Sequence, residues 1–252
     1  MNKYIEISGV KTAYMEDGSG KDMLLLHGWG QNKEMMQAVY DYFKDRFHVI
    51  SIDFPGFGES AEPPEAWGVI DYENFLASFI EETGLKHLIL IGHSFGCRVA
   101  IRYAADHPDN VYKMCLTGAA GIKPKRGLDY QIRIRAYKAG KWFLKATGQN
   151  EKLEELQNRS GSEDYRNAKG IMRPTFVKVV NDDVTPVLKD VKCSVLLVWG
   201  EYDTAAPLWM GQMMEKEMPD AGLAVFEGDD HWAYWHQAAR FNRVLDIFLK
   251  GD

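Results

Sequence analysis

Leu88-Ile89-Leu90-Ile91 runs directly into Gly92-His93-Ser94-Phe95-Gly96, and Cys97–Ala104 beyond it suits a helix. An unbroken apolar run of this length marks a strand buried on both faces, the pattern of a parallel sheet covered by helices. A strand that turns into a helix within so short a stretch holds its central residue on a sharp, strained turn. Glycines two before and two after Ser94 keep the neighbouring chain from clashing there. The serine hydroxyl is thereby held clear of the sheet, near the positive end of a helix dipole.

The remaining chain repeats the alternation. Tyr4–Met15 reads as strands in a hairpin-like opening, followed by a turn at Asp17-Gly18-Ser19-Gly20. Met23–Leu26 is a strand leading into His27-Gly28-Trp29-Gly30, and Asn32 is placed to cap a helix through Phe43. Phe47–Asp53 is a strand, and Asp71 is placed to N-cap a helix to about Thr83 with Gly84 as its stop. A helix over Ser94–His107, stopped by Pro108, precedes a strand at Val111–Thr117. Val195–Trp199 and Leu223–Phe226 are strands, with helices at Pro207–Met218 and Ala233–Leu249. Such an order predicts an α/β fold with an open, mostly parallel sheet.

The stretch from Thr117 to Cys193 breaks the rhythm, being far longer than a crossover helix requires. Leu128, Ile132, Ala136, Ala139, Phe143 and Ala146 share one helical stripe, so an amphipathic helix is expected there with that face turned toward the sheet. Pro174 suits the first turn of another helix carrying Phe176, Val177, Val179 and Val180. Residues 122–187 therefore read as a helical insertion lying over a core made of 1–121 and 188–252. Its charge is distinct: 14 Lys and Arg against 8 Asp and Glu, while the whole chain of 252 residues carries net −6. The basic excess reads as a solvated outer face, with attraction of an acidic substrate or partner as the alternative.

The acidic balance argues against nucleic acid as a partner and against stable membrane association. No apolar run approaches the ~20 residues that span a bilayer, and Met1–Glu6 shows no signal-peptide core. Cys97, Cys115 and Cys193 lack metal spacing and suit reduced thiols in a cytoplasmic protein. Gly18-Ser19-Gly20-Lys21 lacks P-loop spacing, and Gly28-x-Gly30 and Gly56-x-Gly58 lack a third glycine. No cofactor and no metal is expected. A monomer or homodimer acting on a small molecule is the expectation for partners.

A serine hydroxyl needs a base. Among seven histidines, His27 is expected to brace its own loop, and His93 to point away from the reacting centre. His48, His87 and His107 lie beside strands or at a helix end, and His236 suits a surface or packing role. His231 follows Phe226-Glu227-Gly228-Asp229-Asp230, a loop leaving the C-terminal end of a strand, where α/β sites lie. Asp203, in the loop directly after Val195–Trp199, is the expected partner of His231. Glu201, Asp229 and Asp230 are its rivals. The order Ser94, Asp203, His231 predicts a nucleophile, orienting acid and base. The backbone N–H groups of Phe95 and Trp29 are the expected oxyanion donors.

With these motifs the chain resembles α/β-hydrolase-fold serine hydrolases with a helical cap, of carboxylesterase type. The likeness rests on His27–Gly30, Asp53-Phe54-Pro55-Gly56-Phe57-Gly58-Glu59-Ser60, Gly92–Gly96, Gly200–Asp203 and Asp230-His231-Trp232. It implies eight strands with the first antiparallel, a cap after strand six, and hydrolysis through an acyl-enzyme. Met172, Phe176 and Trp232, with Trp29 and Phe95, are expected pocket walls for small to medium apolar or aromatic groups. His231–Trp235 also resembles the C-terminal motif of C–C bond hydrolases that cleave aromatic ring-fission products. Those carry Asn where this chain has His93, and a small-residue loop where it has Trp29 and Gln31. Arg173 reads as a surface residue, with a substrate carboxylate as the alternative role. A non-catalytic ligand receptor on the same fold is the rival from another class.

Overall fold

A computed structural model of the chain describes residues 2–123, 128–159 and 162–251. Its framework is an eight-stranded sheet in the order β1-β2-β4-β3-β5-β6-β7-β8. The strands are β1 (Asn2–Ile7), β2 (Val10–Asp17), β3 (Asp22–Leu26), β4 (His48–Ile52), β5 (Leu88–His93), β6 (Val111–Thr117), β7 (Ser194–Gly200) and β8 (Ala221–Phe226). Strands β3 to β8 are parallel to one another. The reversed strand is β2, antiparallel to both β1 and β4. This corrects the expectation that the first strand is the one running against the rest. The cause is the tight Ser8-Gly9 turn, with φ of 50° and 78°, which folds β1 straight back onto β2.

Alternation along the parallel strands divides the core into two layers. Leu24, Leu26, Leu88 and Leu90 pack on one face, and Met23, Leu25, Ile89 and Ile91 on the other. The first face is covered by α2 (Val69–Thr83) and α3 (Phe95–Asp106), and by α8 (Leu208–Glu217). The second is covered by α1 (Gln37–Phe43) and α10 (Ala238–Lys250). Between β6 and β7 lie α4 (Leu128–Ala146), α5 (Asn150–Arg159), α6 (Glu163–Asn167) and α7 (Met172–Val180), the helices expected after strand six. Arg102 of α3 holds the end of this segment with a two-pronged bond to Asp182, at 3.1 and 2.5 Å.

Several local expectations change. Asn32 makes no side-chain cap, and Lys33–Met36 forms a 3₁₀ turn before α1. The cause is Asp53, whose carboxylate takes the Lys33 N–H at 2.6 Å. Asp71 is not the N-cap of α2. Gly68 occupies that position, and Asp71 reaches back to accept its N–H at 2.7 Å. The closing helix is broken at Gln237 into α9 (Ala233–His236) and α10.

The largest departure concerns α4. Ala136, Ala139 and Ala146 are exposed, and Phe143 is 55% exposed, so the predicted apolar stripe does not face the sheet. The side of α4 turned inward carries Tyr137, Gly140 and Leu144 instead. Gly140 lies against Leu156 of α5, and the Tyr137 hydroxyl meets that of Tyr165 on α6 at 2.8 Å. Those neighbours, invisible to a count of helical periodicity, fix its rotation. The side chains of Leu128 and Ile132, also part of the predicted stripe, lie outside the described residues.

Candidate active site

Six loops leave the C-terminal edge of the parallel strands, following β3, β4, β5, β6, β7 and β8. The chain order reverses between neighbours β3 and β5, the crevice where open α/β sheets place ligands. Ser94 sits there between β5 and α3, with φ 49° and ψ −103°. A non-glycine residue in this region is strained and persists only where its surroundings determine it. Its N–H donates to the Thr117 carbonyl at 3.1 Å, and its own carbonyl accepts from Ala120 N–H at 3.3 Å. The two flanking glycines act as expected. A Cβ on Gly92 would lie 3.0 Å from the Cys97 nitrogen, and one on Gly96 would run into the Leu26 carbonyl. Small size at 96 lets α3 start directly beneath the loop that carries Trp29.

Asp203 is 4% exposed in the loop after β7. Its Oδ1 accepts the N–H groups of Ala205 and Ala206 at 2.9 and 2.7 Å. Its Oδ2 lies 2.7 Å from His231 Nδ1. A carboxylate so fully partnered is held rigid, and its bond to Nδ1 fixes the ring of His231 with Nε2 turned away from Asp203. Gly118, next in chain to the Thr117 that holds Ser94, lies against this pair. A Cβ there would come within 3.0 Å of His231 Nδ1 and 3.3 Å of Asp203 Oδ2. Asp203 and His231 thus lie bonded together against Gly118, one residue on from the Thr117 that holds Ser94.

The rival acids have other work. Asp229 takes His236 Nδ1 at 2.8 Å, Gln237 Nε2 at 2.8 Å and the Asp230 N–H at 2.9 Å. The close grouping of Asp229, Asp230 and His236 is accounted for by these bonds, which clip the His231 loop to α9. Glu201 accepts the Gly228 N–H at 3.0 Å. His27 braces its loop as expected: its Nε2 accepts the Phe54 N–H at 3.0 Å while Nδ1 meets the Gly28 carbonyl at 2.7 Å. Burial lowers its pKa to about 4.

His93 does not turn away from the reacting centre. Its ring lies 4.8 Å from that of His231 and 4.6 Å from that of Tyr234. His93 Nε2 reaches the His231 carbonyl at 3.1 Å, and Nδ1 faces Gln31 Oε1 at 3.3 Å. Gln31 in turn accepts the Gly28 N–H at 3.1 Å. Burial, then the neighbouring His231, holds His93 well below the usual histidine range, so it stays neutral. It is a strut between the loop after β3 and the backbone of His231. Its place before Ser94 marks it in the sequence, but the partners come from loops far along the chain.

Trp29 and Phe95 lie together, ring centroids 5.6 Å apart. Phe57 and Phe176 join them at 4.8 and 5.1 Å from Trp29. Phe176 therefore carries α7 down onto this aromatic group, and Met172 seats its sulfur against Gly56. Trp232 packs differently, against His93 at 5.0 Å and His231 at 6.0 Å. Arg173 donates from Nε to the Ala168 carbonyl at 2.9 Å and lies over the Tyr165 ring at 5.6 Å.

Sequence reasoning passed over Lys33. It is 1% exposed and bonds Asp53 at 3.0 Å, Glu59 at 2.8 Å and Glu34 at 3.0 Å. Burial pulls its pKa down, but the hydrogen bonds it donates to Glu59, Asp53 and Glu34 outweigh that and keep it above the usual lysine range. The cluster pins the 53–60 loop beside the aromatic group. Only the fold brings these residues together, so a lone lysine next to Asn32 gave no signal.

A serine on a strained strand-to-helix turn and a buried Asp203 bonded to a half-buried His231, on an eight-stranded sheet, suit a hydrolase of α/β architecture. The chain belongs to the alpha/beta hydrolase family, whose model matches residues 23–244. It is similar to the 2-hydroxy-6-oxo-6-phenylhexa-2,4-dienoate hydrolase of Comamonas testosteroni, 26% identical over 267 residues covering 97% of this chain and 93% of that one. Among solved structures it is similar to an esterase from Exiguobacterium antarcticum, with a TM-score of 0.78, 20% identity and 100% of both chains covered. A meta-cleavage product hydrolase from Pseudomonas fluorescens gives a TM-score of 0.74 at 20% identity, covering 98% of this chain and 97% of that one.

Proposed function

We propose that this chain is a carboxylesterase-type serine hydrolase acting on small to medium esters with apolar or aromatic groups. The observation that carries the reading is the 2.7 Å bond from Asp203 to His231 beside a serine held at φ 49°. His231 Nε2 takes the Ser94 proton as the hydroxyl oxygen attacks the ester carbonyl. Asp203 fixes the tautomer and steadies the imidazolium. The N–H of Phe95, the first residue of α3 and so without a partner inside its own helix, points with that of Trp29 at the forming oxyanion. His231 then protonates the departing alcohol, and water, activated by the same ring, releases the acid from Ser94.

Residues 122–187 act as a cap over this site, with Phe176 and Met172 of α7 reaching the aromatic group and the Gly56 loop. Trp29, Phe95 and Phe176 form the apolar wall, and Trp232 flanks the base. No residue of the mechanism requires a cofactor. Three free, buried cysteines suit a reducing compartment. No helix among the described residues is long and apolar enough to cross a membrane.

A second reading is C–C bond hydrolysis, favoured by the similarity to the 2-hydroxy-6-oxo-6-phenylhexa-2,4-dienoate hydrolase of Comamonas testosteroni and by His231-Trp232. His93 and the bulky Trp29 loop favour the ester reading. Purified protein should release nitrophenol from short acyl esters, and Ser94→Ala should not. Turnover of a vinylogous 1,5-diketone acid without turnover of any ester would replace the ester reading with the second one.

A further inference from the structure

The outward side of α4 is apolar at its centre and basic along its flank. Trp142 is 72% exposed and Phe143 is 55% exposed. Ala139 and Ala146, on the same arc of the helix, are exposed as well. A tryptophan so bare is uncommon on a folded surface, and grouped with Phe143 it marks a contact surface. Arg135, Lys138 and Lys145 are exposed beside it. On the other side of α4, Lys141 and Arg173 line an open cleft of about 540 Å³ together with Lys169 and Tyr165, with no acidic residue in its wall. The acidic helix α5 does not lie on this face, since it packs at Gly140.

We propose that this face of α4 docks the protein on an anionic lipid surface, with the cap facing the bilayer. Charge selects that occupant. Residues 122–187 carry net +6 and the remainder of the chain net −12. An anionic surface therefore attracts this segment and repels the rest, which orients the molecule and keeps the contact weak and reversible. A second copy meeting cap to cap would bring two basic segments together. Trp142 supplies an indole whose apolar body and N–H suit the headgroup level. Lys138 and Lys145 extend apolar stems with charged tips, so they lie along the interface while reaching the phosphates. Shallow seating of one helix needs no spanning segment. The docking does not rest on the catalytic reading.

The test is co-sedimentation of the full chain with vesicles of phosphatidylcholine alone or mixed with phosphatidylglycerol, in low salt and in about 1 M salt, where screening acts within about 3 Å. Binding is expected only to the mixed vesicles in low salt. W142A/F143A and K138E/K145E should each weaken it by on the order of tenfold or more. Ile247→Ala, a change at an equally exposed apolar residue of α10, should leave it intact. The charge variant alters only exposed tips, so it remains informative if the aromatic variant misfolds. Absence of binding to mixed vesicles would overturn the proposal. So would equal binding to neutral vesicles, or binding that survives both double variants. A dimer in sedimentation velocity that W142A/F143A dissolves, without vesicle binding, would assign the face to a second copy.

Discussion

At the scale of single residues, two positions store free energy in opposite ways. Ser94 is held where a side chain is strained, at a cost of about 1–3 kcal/mol, because Gly92 and Gly96 let β5 and α3 close tightly around it. Glycine relieves that strain, so Ser94→Gly should unfold at a higher temperature than wild type while losing activity. Calorimetry on the two proteins checks it, and a lower transition for the variant would mean that the turn is unstrained. Lys33 is the reverse case. Its charge neutralises buried Asp53, so Lys33→Met should cost about 3–5 kcal/mol in urea titrations. Adding Asp53→Asn should recover part of the loss. The sequence singled out Ser94, Asp203 and His231 as candidates because each sits in a short local pattern after a strand. It hid Lys33 and the strut made by His93, whose meaning comes from partners on distant loops.

Elements behaved according to how much of their environment is local. The buried parallel strands were legible because their apolar runs are dictated by burial on both faces, which any neighbours supply. Helix α4 was legible as a helix but not in its rotation, since Tyr165 and Leu156 decide which side turns inward. The same limit hid the Gly68 cap of α2: Asp71 bonds backwards as readily as forwards along the chain, and only geometry chooses. On the proposed reading, helix α7 is the element whose packing bears on selectivity. Phe176 touches Trp29, so Phe176→Ala should shift preference among acyl chains by roughly 1–3 kcal/mol, read as ratios of kcat/KM across an ester series. An unchanged series would remove α7 from the substrate pocket.

Across the whole molecule, acid sensitivity follows from buried histidines. His27 has a folded pKa lowered to about 4 from 6.5, and burial lowers His93 in the same direction. A depressed histidine binds its proton more readily when unfolded. Its stabilisation is complete above pH 6.5 and is lost as pH falls toward the folded value. His48 has the opposite sign. Burial lowers its pKa, but hydrogen bonds to Asp22 and Glu16 raise it overall, so its contribution is largest in acid and fades as pH rises through its folded pKa. The melting temperature should decline between pH 6.5 and 4, and His27→Gln, though less stable throughout, should show a shallower decline. Parallel curves for the two proteins would assign the acid loss to carboxylates. The mostly parallel sheet and the placing of candidate residues in loops after strands were readable from the alternation of strands and helices, whereas the strand order and the reversed β2 were not.

The central claim is that Ser94 carries the acyl group of an ester substrate. Acid-quenched samples taken during turnover of a nitrophenyl acyl ester, examined by intact mass and peptide mapping, test it most directly. The account predicts one acyl increment, located on Ser94, absent from Ser94→Ala and accumulating when His231 is replaced only if attack still proceeds. Ester turnover at an unchanged rate in Ser94→Ala, or an acyl group found on another residue, would contradict it.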